Sequence, residues 1–141
     1  MVHALREIRN LLKPDGALID IRPDGELNEF IRTLGDDEHL IGYLQETDDY
    51  IEYRQAEAAV REVLAAGLFH IEKSGEFTFN IHADSFDELK FFLDETWSDS
   101  LIEGDVMAEA KRLNDAYGVG KVLLRGQTRI ALMNPIFQDR K

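Results

Sequence analysis

Residues 4–22 leave little freedom in how this chain can fold. Leu5, Ile8, Leu11 and Leu12 fall at helical spacing, and Lys13 stands in the last turn, where the helix dipole favours a cation. Pro14 lacks the N–H that a further turn needs, so the spacing predicts a helix that closes before it. Pro14-Asp15-Gly16 then supplies turn chemistry, and Ala17-Leu18-Ile19-Asp20-Ile21 reads as a short aliphatic strand. A helix feeding an apolar strand through a tight turn is an α/β unit.

The rest of the chain extends that pattern. Arg22-Pro23-Asp24-Gly25 is a turn. Leu27, Phe30, Ile31 and Leu34 are spaced for an amphipathic helix ending at Gly35. Asp36-Asp37-Glu38 is a charged turn, and residues 39–45 form a strand in which Gly42 marks a bulge or a close approach. Asp48 or Asp49 caps a helix over 50–66 that carries Ile51, Tyr53, Ala56, Ala59, Val60, Val63 and Leu64 on one broad stripe, with Gly67 as its stop. Residues 68–73 and 76–82 flank Ser74-Gly75, either as a hairpin or as one long bulged strand, with Phe77, Phe79 and Ile81 on its buried face. Ser85-Phe86-Asp87-Glu88 is a capping box for a helix that carries Leu89, Phe92 and Leu93 and reaches about Trp97. A further helix spans 104–117, ended by Gly118, and residues 121–124 and 128–134 make a closing strand or hairpin. The expected fold is α/β (α+β): a mixed, mostly antiparallel sheet packed with helices, in a single domain over 1–141.

Two stretches carry a family resemblance. The run Ala4-Leu5-Arg6-Glu7-Ile8 with Leu11-Leu12-Lys13-Pro14-Asp15-Gly16-Ala17-Leu18 resembles the E-hydrophobic-x-R-x-L-K-P-G-G-x-L segment of class I S-adenosylmethionine-dependent methyltransferases, with Asp15 at the first Gly of the pair. Glu52-Tyr53-Arg54-Gln55-Ala56 through Gly67-Leu68-Phe69 looks like a later helix and strand entry of the same family. The resemblance covers the C-terminal half of such a domain, and it implies a β-hairpin at 27–45, where the spacing reads as a helix, so both readings stand. It also implies that the strand at 17–21 neighbours the final strand, and that the final strand neighbours the one at 76–82. The family's Gly-rich cofactor loop has no counterpart: no G-x-G-x-G occurs, and Gly118-Val119-Gly120 follows a helix instead of a strand. The expectation is a Rossmann-like back half without its N-terminal cofactor-binding half.

Composition narrows the function classes. The 141 residues hold no cysteine, which excludes disulfides, thiolate metal sites and thiol nucleophiles, and makes the cytoplasm the expected compartment. No run approaches the roughly 18 apolar residues of a spanning helix, so no membrane role is expected. A net charge of −12 argues against nucleic acid as a partner, because a polyanion would be repelled over most of such a surface. His3, His39, His70 and His82 are scattered and lack metal-site spacing, so no metal is expected.

Few residues remain as candidates. Asp20 lies within an otherwise aliphatic strand and needs a partner if buried, and Arg22, two residues on, shares its face. These two are read as a strand-end ion pair or, by the resemblance, as residues bordering a substrate cleft. Arg54 and Arg61 share one helix face and could take an anion, with Glu57 and Glu62 close enough to neutralise them. Leu18, Phe91 and Trp97 are interface candidates; Phe91 falls off its helix's apolar stripe, and with Trp97 it serves either a core or a contact surface. The functional expectation is a methyltransferase-like chain without methyl transfer of its own, needing no cofactor and retained as an interaction or assembly module. The competing expectation is an S-adenosylmethionine-dependent methyltransferase component, or a small-molecule-binding enzyme, completed by a separate protein partner. The resemblance implies that the strand at 17–21 lacks a neighbour, and an edge so bared predicts a homodimer, unless residues 24–47 fold back as a hairpin over that edge and leave a monomer.

Overall fold

In the computed structural model, residues 1–47 and 50–137 are described; the expected caps Asp48 and Asp49 lie outside them. The elements run α1 (Val2–Leu11), β1 (Leu18–Pro23), β2 (Asn28–Leu34), β3 (Asp37–Glu46), α2 (Ile51–Ala65), β4 (Phe69–Ala83), α3 (Phe86–Thr96), β5 (Ser100–Leu101), α4 (Gly104–Tyr117) and β6 (Val122–Pro135). The six strands form one sheet in the order β1-β6-β2-β3-β5, with β4 also paired to β6. The ladders β1–β6, β2–β6, β2–β3 and β3–β5 are all antiparallel. The mixed, mostly antiparallel α+β fold expected from the pattern is what the chain adopts. The chain divides into two compact units, the first from Met1–Gly25, Ile51–Phe77 and Thr128 onward, the second from Glu26–Tyr50 and Thr78–Gln127.

In the first unit, α1 ends as Pro14 requires, and Leu5 is buried while Ile8 and Leu12 are half-buried. Leu11, assigned to the same stripe, is instead exposed. Leu5 joins Ala59, Val60 and Val63 of α2, Phe69 of β4 and Met133 of β6 in one core. Burying each of the larger of these side chains is worth about 1.5–3 kcal/mol. Gly67, at φ +66°, stops α2, and the Leu68 N–H donates to the Val63 carbonyl at 3.0 Å, the backbone wrap that a left-handed glycine allows after a helix. β1 pairs with β6 from Leu18 opposite Met133 to Pro23 opposite Thr128, and no other ladder of β1 occurs among the described residues.

In the second unit, residues 28–46 form a hairpin, not a helix. Gly35, at φ +62°, makes the two-residue turn between Leu34 and Asp37, and the strands cross-pair around it. Helical spacing of the apolar residues is overridden because β2 pairs on its other side with Val122–Arg125 of β6. The core holds Phe30, Leu44, Phe86, Leu89, Leu93, Leu113 and Leu124. The rings of Phe30 and Phe86 meet edge-on at 5.5 Å between centroids, worth about 0.5–1.5 kcal/mol beyond area. Gly42 gives both of the effects expected of it. The β2–β3 register slips between Phe30 and Ile31, and a Cβ at Gly42 would stand 2.6 Å from a Val106 methyl, so its absence lets α4 close on the sheet.

β4 and β6 are each one long continuous strand, although Ser74-Gly75 and Arg125-Gly126-Gln127 would suit hairpin turns. Ser85 caps α3 as expected, its hydroxyl accepting from the Glu88 N–H at 3.1 Å. The Glu88 carboxylate, however, accepts from the N–H of Asp84 and not of Ser85, so the box closes one residue early. Phe92 and Phe77, placed on buried faces by spacing, are both more than two-fifths exposed.

Candidate functional site

The charged cluster begins with strand alternation in the first unit. Leu18, Asp20 and Arg22 are the half-buried positions of β1, and the exposed ones are Ile19, Ile21 and Pro23. Arg22 Nε donates to Asp20 Oδ2 at 2.8 Å, and Arg22 Nη1 donates to Glu57 Oε2 of α2, also at 2.8 Å. The β1–β6 register sets Arg22 opposite Arg129 and Asp20 opposite Ala131, so a second guanidinium lies on the same face. Glu57 also accepts from Arg61 Nε at 3.2 Å and lies 3.6 Å from Arg129 Nη1, and Arg129 Nε lies 3.8 Å from Glu76 of β4.

The electrostatics follow from this geometry. The hydrogen bond from Arg22 holds the Glu57 carboxyl below the usual carboxylate range, against the opposing effect of burial, and the charges of Arg22, Arg129 and Arg61 add to it. For Arg22, burial disfavours the charge, but the hydrogen bonds to Glu57 and Asp20 more than offset it and raise its pKa. A carboxylate held ionised in this way is a poor proton donor near neutral pH; what the cluster does well is hold charge in place.

These residues line a cleft of about 310 Å³ together with Val60 and Leu64 of α2, Ile71 of β4, and Ile130 and Ala131 of β6. Asp20 and Arg22, singled out from sequence, are thus brought together as an ion pair, and they border a cleft. Glu57 pairs with Arg61 as its helical spacing suggested. Arg129 and Glu76 give no local signal in the sequence, because strand register and not a motif aligns them with Arg22. Among the interface candidates, Phe91 is 68% exposed, Trp97 packs half-buried against the core of the second unit, and Leu18 packs against the core of the first. The outward β1 side chains are instead Ile19 and Ile21, 60% and 57% exposed.

A different buried cation lies in the second unit. Arg32 of β2 is 2% exposed; its Nη1 donates to Asn114 Oδ1 at 2.7 Å and its Nη2 to the Gly118 carbonyl at 2.5 Å. Both partners belong to the C-terminal turn of α4, where the helix dipole supplies negative charge. A Cβ at Gly120 would stand 2.7 Å from Arg32 Nη2, so the Gly118-Val119-Gly120 run, which lacks the setting of a phosphate loop, cradles this side chain. Among the described residues no group of three or more His, Cys, Asp or Glu could hold a metal, and no helix is long and apolar enough to cross a membrane. Comparison with protein-family models, with curated proteins and with solved structures finds no match.

Proposed function

We propose that this chain is a cytoplasmic interaction module that assembles with a second copy of itself, a methyltransferase-like back half with no methyl transfer of its own and no cofactor requirement. The observation that carries this reading is β1. It has a single ladder partner among the described residues, and two isoleucines on its outward face stand more than half exposed. An unpaired aliphatic edge is a template for another strand unless charge, bulge or cover blunts it. The hairpin that would have covered it is present, but it pairs with β6 at 122–125 and not with β1. A second copy fits because β1 is self-complementary: antiparallel pairing centred on Ile21 sets Asp20 of each strand against Arg22 of the other, on one face. The strand order β1-β6 with β4 beside β6 is the one the methyltransferase resemblance implied.

Light scattering at micromolar concentration tests the assembly. The expected mass is twice the 16.1 kDa of one chain, falling to one chain in an Ile19→Lys, Ile21→Lys double variant that keeps the parent's circular dichroism. A parent mass of one chain rules the dimer out. Titration calorimetry with S-adenosylmethionine and S-adenosylhomocysteine is expected to show no binding, and micromolar binding by the chain alone would favour the enzyme reading instead.

A further inference from the structure

We propose that the cleft in the first unit binds a small monocarboxylate with an apolar body, and that Arg129 is the residue that receives the carboxylate. The inference does not rest on the assembly reading: the two share Asp20 and Arg22, but the carboxylate is received by Arg129 of β6, and Ile19 and Ile21 point from the other face of β1. At about 310 Å³ the cleft is at the lower end of the range that takes small ligands, and much of its wall is aliphatic: Val60, Leu64 and Ile71.

The three arginines of the cleft are not equally committed. Arg22 is engaged twice at 2.8 Å, and Arg61 once at 3.2 Å. The carboxylates nearest Arg129, by contrast, stand at 3.6 and 3.8 Å, too far for good hydrogen bonds, and its side chain is 47% exposed. A guanidinium carries five donors in a planar fork that matches a carboxylate, so Arg129 presents an unfilled bidentate site beside an apolar wall. The charge of the ligand follows from the neighbours. Glu57 and Glu76 flank Arg129, so a dianionic phosphate would meet more repulsion than a monoanion, while a cation would find Asp20 and Glu57 already taken by Arg22.

The probes are octanoate and benzoate, with octanol and inorganic phosphate as controls, followed by calorimetry and by methyl NMR of the full chain. Octanoate is expected to bind at least tenfold more tightly than octanol, to shift the methyls of Leu64 and Ile71, and to leave those of Ile19 and Ile21 in place. Arg129→Gln is expected to weaken octanoate about tenfold, the scale of one lost charge-assisted pair, with octanol unaffected. Arg129→Lys is expected to fall between the two, because it keeps the charge and loses the fork. Equal affinity for octanoate and octanol, tighter binding of phosphate, shifts at Ile19 and Ile21 without Ile71, or no octanoate binding at millimolar concentration would each overturn the proposal. If Arg129→Gln does not fold, the parent's methyl shifts and the lysine variant still decide it.

Discussion

In the second unit, Phe30, Leu44, Leu89, Leu93 and Leu124 expose no surface, whereas in the first, two isoleucines of one short strand stand more than half in solvent. Hydropathy does not account for the difference: Leu18-Ile19-Asp20-Ile21 of β1 is more apolar than Phe30-Ile31-Arg32-Thr33 of β2, yet it is the more exposed. What differs is cover. β2 is paired on both edges, and α3 and α4 contribute to the core it belongs to, while β1 is paired on one edge and its unit's helices α1 and α2 join a core on one face only. The same contrast appears in the charges. Arg22 is met by two carboxylates, but Arg32, more deeply buried, has only an amide, a backbone carbonyl and a helix dipole. A buried cation can therefore be stabilised by fold geometry alone, and then its surroundings leave no acidic signature in the sequence.

The largest effect expected from a single substitution is at Arg32. Arg32→Ala leaves the Asn114 and Gly118 oxygens without their donor and opens a cavity, so it should cost about 2–4 kcal/mol of stability. Urea unfolding checks this, and a loss no larger than that of Arg22→Ala would erase the contrast between the two units.

Glu57 sharpens the contrast on the other side. Its pKa is lower folded than unfolded, so the unfolded chain binds the proton more readily, and the stability it contributes is present above the ordinary glutamate range and lost as pH falls through it. Glu57→Gln should therefore flatten the decline in melting temperature between about pH 5 and pH 3, while leaving the second unit's packing unchanged. Parallel melting curves for parent and variant across that range would show that the cluster carries no such linkage.

The smallest effect is at Ser85. Ser85→Ala removes one capping acceptor from α3 and should cost about 1 kcal/mol without altering the mass in solution. A melting temperature equal to the parent's would mean that the neighbouring Glu88–Asp84 contact holds the helix start unaided.

What can be read from the sequence is local. Pro14, Gly67, Ser85 and Gly118 mark helix ends, because each acts through its own backbone or through a neighbour three or four residues away. The pair Asp20 and Arg22 is legible for the same reason: one strand face puts i and i+2 together. The hairpin at 28–46 is obscured because its apolar spacing fits a helix equally well, and only pairing with β6, some ninety residues on, decides between them. Arg129 and Glu76 are hidden because register aligns them, and Arg32 because its partners are uncharged. Phe92 and Phe77 show the opposite failure, apolar spacing with no element close enough to bury them fully.

Backbone amide exchange along β1 tests the central claim most directly. In β1 the amides alternate between those that bond to β6 and those that face the open edge. If two copies pair through this strand, the edge-facing amides between Leu18 and Arg22 exchange slowly at micromolar concentration and speed up on dilution, while the β6-facing ones stay slow throughout. If the edge-facing set exchanges as freely as an unpaired amide at every concentration, β1 is not the assembly surface, whatever the mass of the protein in solution.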